Sequence, residues 1–131
     1  MDSDLMGIAL NLQKKYTKFN EIYNLTKQIE ESLYRDDMYS LRLIVNMRTT
    51  AILELEKIEY NRKDLINALP DDKKNIVNEL MSENAKDSDT CSDIGKKINN
   101  IYRQTRKVME KTVLLDKAVN KKLNTKSKIK Y

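Results

Sequence analysis

The chain contains no histidine and no tryptophan, one cysteine (Cys91), one proline (Pro70) and two glycines. A single cysteine forms no disulfide within a chain, and without histidine no Cys/His zinc site and no Glu-x-x-His di-metal site of helical bundles can be written. Gly7 and Gly95 alone build neither a phosphate-cradling glycine-rich loop nor a G-x-S-x-G elbow. General acid-base work at neutral pH loses its usual residue. Cys91 has no histidine to activate it, so it reads as an incidental thiol in a reducing compartment. No apolar run approaches the ~18 residues of a membrane span, and the opening MDSDLMGIAL lacks the basic stretch of a signal peptide. The expectation is a cytoplasmic protein without metal or cofactor.

Scarce glycine and proline leave room for long uninterrupted helices, and 131 residues with 40% hydrophobic content suit one domain with a modest core. From Leu5, apolar residues recur at Ile8, Leu12, Tyr16, Phe19, Ile22, Leu25, Ile29 and Leu33, keeping one stripe on one helix face. In YRDD, Asp36 or Asp37 is placed to cap a second helix. Its stripe runs through Met38, Leu41, Ile44, Val45, Ile52, Leu55, Ile58, Leu65, Ile66 and Leu69 to Pro70. PDDKKNIVNELM predicts a short helix capped by Asp71 or Asp72, and the polar SENAKDSDTCSD predicts a hinge loop. From Ser92 or Asp93 a last helix carries Ile94, Ile98, Ile101, Thr105, Val108, Thr112, Leu115 and Val119 as a nearly strict heptad seam, flanked by Tyr102 and Met109.

The fold class that follows is all-α: an antiparallel bundle of three long amphipathic helices plus one short connecting helix. Residues 1–69 form a long helical hairpin, 70–93 the short helix and loop, 94–123 a basic amphipathic helix, and 124–131 a flexible basic tail.

Charge is unevenly spread. Residues 1–93 hold 18 acidic and 13 basic side chains, and residues 94–131 hold 2 and 12. Such asymmetry suits nucleic acid, an acidic membrane surface, an acidic protein partner, or complementarity inside the chain. Lys96, Lys97, Arg103, Arg106, Lys107, Lys111, Lys117, Lys121 and Lys122 are the phosphate-binding candidates, although no nucleic-acid fingerprint accompanies them. An enzymatic alternative rests on Arg48 and Arg62, two heptads apart near the second stripe, since small all-helical enzymes such as chorismate mutase bind a dicarboxylate with inward arginines. Against it, both arginines have carboxylates within reach in sequence, at Glu30, Glu31, Glu59 and Asp64.

The leading stripe ending at Leu33, the aspartate turn in YRDDMYSL, and ILELEKIEYNRKDLINAL with Glu54, Leu55, Arg62, Leu65 and Leu69 together resemble the FlgN-type flagellar export chaperones. The FliT-type export chaperones are a nearly equal match. The chain departs from the FlgN pattern at Pro70, where glycine is common, and at Thr105 and Thr112, where asparagine is. The resemblance implies a cytoplasmic chaperone without catalytic activity, which holds a hook-filament junction protein by its C-terminal helical segment and delivers it to the export apparatus. Ile101, Tyr102, Val108, Met109, Leu115 and Val119 are then the expected anchors for the client helix, and Arg103, Arg106 and Lys107 the groups that orient it. The same seam also suits docking onto the chain's own hairpin, or onto a second copy in a homodimer.

Overall fold

The computed structural model describes the backbone of residues 2–83 and 92–129 and the side chains of 4–83 and 92–124. Cys91 and most of the expected hinge loop lie outside the described residues. Four helices follow in order: α1 (Asp2–Tyr34), α2 (Met38–Asn67), α3 (Asp71–Leu80) and α4 (Asp93–Ile129). The architecture is an all-α bundle in which α1, about 50 Å long at 1.5 Å per residue, lies between α2 and α4.

The turn after α1 shows how the sequence ends one helix and starts the next. Asp37 N–H donates to the Ser32 carbonyl and Asp36 N–H to the Leu33 carbonyl, a Schellman closure with Asp36 in the left-handed region at φ 53°. Aspartate tolerates that conformation better than most side chains. Asp37 then caps α2, accepting from the Ser40 amide at 3.1 Å and the Ser40 hydroxyl at 2.7 Å. These bonds to the charged form hold the Asp37 carboxyl below its ordinary value.

At the far end Pro70 disfavours a helical Leu69, and α2 stops at Asn67. The capping role expected of Asp71 or Asp72 needs correction. Extended Pro70 holds the N-cap position, so both aspartates fall inside the first turn of α3 and act on its dipole instead. Ser92 caps α4, its hydroxyl oxygen accepting from the Gly95 amide at 3.0 Å. With no glycine or proline after Val119 to stop it, α4 runs past the expected end at 123 as far as Ile129, so residues 124–129 of the expected tail are helical.

α1 and α2 run antiparallel, while α4 runs parallel to α1: Ile98 shares a core with Ile8, Lys111 lies over the Tyr23 ring, and Lys122 pairs with Glu30. α1 packs on both long partners along their lengths, and α2 and α4 touch each other only sparsely.

The apolar interior is divided. One cluster joins Ile8, Ala9 and Leu12 of α1 to Leu69, to Val77 and Leu80 of α3, and to Ile94, Ile98 and Ile101 of α4. The other joins Ile22, Leu25, Ile29 and Leu33 to Leu41, Ile44 and Ala51 of α2 and Val119 of α4. Between them lies a polar belt. Asn11 donates to the Ile58 carbonyl at 2.9 Å, Arg62 meets Asn11 and Glu59, Lys15 pairs with Glu59 at 3.0 Å, and Lys18 pairs with Glu21 and Glu54 at 2.8 Å. The two carboxylates hold Lys18 above its ordinary value.

Candidate functional site

The heptad seam of α4 faces α1. Ile94, Ile98, Ile101, Thr105, Val108, Thr112 and Val119 are buried and Leu115 is half-buried. In this closed form the hairpin of the same chain therefore occupies Ile101, Val108 and Val119, three of the expected client anchors.

How the seam is held matters more than that it is covered. The Thr105 hydroxyl donates to the Ile101 carbonyl and the Thr112 hydroxyl to the Val108 carbonyl, both at 2.7 Å and both within α4. Each hydroxyl is satisfied by its own helix, as threonine can be in a helix interior. Lifting α4 from α1 thus exposes methyl groups without orphaning these two donors. Across the α1–α2 contact the position is different, because Arg48 donates from Nε to the Thr26 hydroxyl at 3.0 Å and Asn11 donates to the Ile58 carbonyl.

The anchoring of α4 is also unequal along its length. At its start Asn99, itself buried, donates through Nδ2 to the Leu80 carbonyl at 2.9 Å and the Ser82 carbonyl at 3.2 Å, tying α4 to the end of α3. Arg103 Nε donates to Asn99 Oδ1 at 2.9 Å and completes the clasp. Further along, the cross-helix polar contacts lie at the rim. Arg48 pairs with Asp116 at 2.9 Å, Lys122 approaches Glu30 at 3.7 Å and lies over the Tyr34 ring, and Lys111 lies over Tyr23. Rim contacts of this kind contribute little, typically ~0–1 kcal/mol for an exposed pair.

Tyr102 and Met109 sit at the edge of the seam, where they, Leu12, Lys15, Thr105 and Arg106 line a cavity of about 100 Å³. Both are half-buried. Arg103, Arg106 and Lys107 are exposed, with Arg103 turned toward Asn99 and the Glu83 carbonyl and Arg106 3.7 Å from the Glu83 carboxylate. Lys96, Lys97, Lys107 and Lys117 are exposed and have no carboxylate partner among the described residues. Among the described residues, carboxylates thus meet only part of the basic face of α4, Arg106 through Glu83 and Lys122 through Glu30.

Arg48 and Arg62 do not converge. Arg48 is held by Thr26 and Asp116, and Arg62 by Asn11 and Glu59, in two separate clusters on α2. Burial pushes the Glu59 carboxyl up, but the hydrogen bonds and charges of Arg62 and Lys15 outweigh it and leave the group below its ordinary value. A carboxylate lowered by folding stabilises the fold at neutral pH, and that stabilisation is lost as the pH falls through and below the ordinary glutamate range. Urea midpoints should therefore fall between about pH 5 and pH 3, with a smaller fall in Glu59→Gln, which already lacks roughly 1 kcal/mol at neutral pH. Identical pH profiles for the two proteins would remove Glu59 from the account.

Among the described residues no helix is long and apolar enough to cross a membrane, and no group of three potential metal-ligating side chains comes together. Comparison with protein-family models, curated proteins and solved structures finds no match to this chain.

The spacing of apolar residues gives no hint of Asn99, Asn11 or Thr26. All three are polar residues beside a stripe, where solvent exposure is the ordinary expectation. The one available signal is that Asn11 and Asn99 each neighbour a strong seam residue, Leu12 and Ile98, within the buried arc of the helix.

Proposed function

We propose that this chain is a non-catalytic cytoplasmic chaperone of the flagellar export type, which binds a helical segment of a hook-filament junction protein and keeps it unassembled. The observation that carries the reading is the attachment of α4. It is clasped at its start by Asn99, while its later seam lies on α1 through apolar groups and self-satisfied threonines. Such a helix separates at low polar cost from Thr105 onward, freeing both its own seam and the matching stripe of α1 for a client helix. Ile101, Val108, Leu115 and Val119 are the anchors in the opened form. Tyr102 and Met109 already border solvent at the edge, and Arg103, Arg106 and Lys107 orient an acidic flank of the client.

Titration with the C-terminal helical segment of a junction protein should give 1:1 binding with a negative heat-capacity change, the mark of apolar burial. Arg106→Glu combined with Lys107→Glu should weaken it about tenfold at low salt without loss of helicity. Absence of binding at ~100 µM, an affinity too weak for a holding chaperone, would overturn the reading.

A second reading is favoured by one observation, the exposed row of Lys96, Lys97, Lys107 and Lys117 without carboxylate partners among the described residues. Sequence-independent nucleic-acid binding predicts affinity for a labelled duplex that falls steeply with salt, and a shallower slope when these lysines are replaced by glutamine.

A further inference from the structure

In each long helix a polar side chain interrupts an apolar heptad row, and the three interruptions lie at one level of the bundle. In α1 the row Leu12, Phe19, Thr26 and Leu33 is broken at Thr26. In α2 Arg48 falls between Leu41 and Leu55, and in α4 Asp116 falls between Met109 and Leu123. One heptad to one side, Leu33, Leu41 and Leu123 pack in a single apolar cluster; to the other, Leu12 and Met109 border a single cavity. Between them the polar groups meet. Arg48 donates from Nε to the Thr26 hydroxyl at 3.0 Å, its Nη2 lies 2.9 Å from Asp116 Oδ1, and the Thr26 hydroxyl donates onward to the Ile22 carbonyl at 2.7 Å. Thr26 is fully buried, and the Arg48 side chain is 22% exposed.

Asp116 is also out of keeping with its own helix. Residues 94–131 carry 12 basic and 2 acidic side chains, and the other acid, Glu110, is exposed. A polar residue in an otherwise apolar heptad row costs stability and sets register. A slip of α4 by one heptad sets Met109 or Leu123 against the guanidinium and leaves its donors unpaired.

We propose that Arg48 is a specificity determinant of the seat that α4 occupies, and that the seat favours a helix presenting a carboxylate at the level of Asp116. The proposal rests on the reading of α4 as an exchangeable helix and adds the chemistry of the helix that replaces it. The guanidinium is held from the hairpin side, because its bond to Thr26 joins α2 to α1 without involving α4. When α4 lifts from Thr105 onward, Arg48 stays aimed at the place Asp116 has left, already ordered for a new partner. A helix with a carboxylate there restores the pair, whereas one with an apolar or basic residue leaves a largely covered cation unpaired or repelled. The partner is therefore an amphipathic helix in which Asp or Glu takes one place in an apolar heptad row, with a seam residue directly before it, as Leu115 stands to Asp116. The pair's partial exposure keeps its net contribution to closure small, so its effect falls on the choice of partner.

Two labelled peptides serve as probes: a copy of residues 98–123, and the same copy with Asp116→Asn. The full chain carrying Asp116→Lys, whose own α4 is repelled by Arg48, should bind the first probe about tenfold more tightly than the wild-type chain does. It should also bind the first probe about tenfold more tightly than the second. Adding Arg48→Met should make the two probes bind alike, whereas a purely structural role for Arg48 would weaken both and keep the preference. Circular dichroism checks that each variant stays helical, and Asp116→Asn replaces Asp116→Lys in the chain if the latter unfolds. Equal binding of the two probes before Arg48 is changed, or a preference that survives Arg48→Met, overturns the role of Arg48 and leaves α4 exchangeable. Binding of neither probe at ~100 µM to a folded variant shows that the seat does not open, and the exchange reading and this proposal fall together.

Discussion

Ile98→Ala is expected to lower the unfolding free energy by about 3 kcal/mol, within the 2–5 kcal/mol range of buried isoleucine and leucine truncations. Ile98 has 0% exposure and sits in the cluster where α1, α3 and α4 meet, among Ile8, Leu12, Val77 and Leu80. That junction cannot close around a void easily, because Asn99 next to it fixes the distance between α3 and α4 through two backbone carbonyls. The deleted carbons therefore cost both their transfer free energy and an unfilled cavity. For a chain of this size the melting temperature should fall by roughly 10 °C. Leu114→Ala, on the exposed side of the same helix, should change stability by less than about 0.5 kcal/mol. Thermal unfolding of the two variants decides the matter. Equal, small losses would mean that α4 is not seated on α1 as described.

The second large effect is on binding. Thr105→Val combined with Thr112→Val should stabilise the free protein by about 1–2 kcal/mol, since valine keeps the packed shape and removes a hydroxyl whose only recorded bond lies within its own helix. Under the export-chaperone reading that gain is spent against the client. Binding competes with closure of α4, so deepening the closed state by ~1.4 kcal/mol should raise the apparent dissociation constant about tenfold. Hydrogen exchange should report the same change as slower exchange of amides from Thr105 to Val119, with the α1–α2 hairpin unaltered. If the double variant is more stable yet binds the client unchanged, displacement of α4 is not part of recognition.

Much of the fold is legible in the chain because its elements are long and strongly periodic. The stripes of α1 and α2, the Asp37 cap and the stop at Pro70 follow from spacing and local chemistry, except that Val45, counted in the α2 stripe, is 40% exposed. The seam of α4 is legible almost throughout: Ile94, Ile98, Ile101, Thr105, Val108, Thr112 and Val119 are buried, and Leu115 is half-buried. Direction and partner were the missing parts. Periodicity says that a helix has an apolar side but not which helix covers it, so α1 lying between α2 and α4 emerges only in three dimensions. Polar residues in the buried arc were equally hidden. Asn99 and Asn11 find backbone carbonyls that lie 19 and 47 residues from them in sequence, and no local pattern encodes such a distance. Asp71 and Asp72 were misread as caps because Pro70 takes the N-cap position in an extended conformation that composition alone does not locate.

The parallel pairing of α1 with α4 also has a consequence for how the chain acquires its shape. Ile8 and Ile98 meet across ninety residues, whereas the α1–α2 turn closes locally. Closing the longer loop costs more entropy, and contacts of that separation form late. During synthesis the hairpin is complete while the stripe of α1 that α4 will cover is still bare. Through that interval the nascent protein presents an unfilled apolar seat, open to any amphipathic helix that reaches it before its own fourth helix arrives.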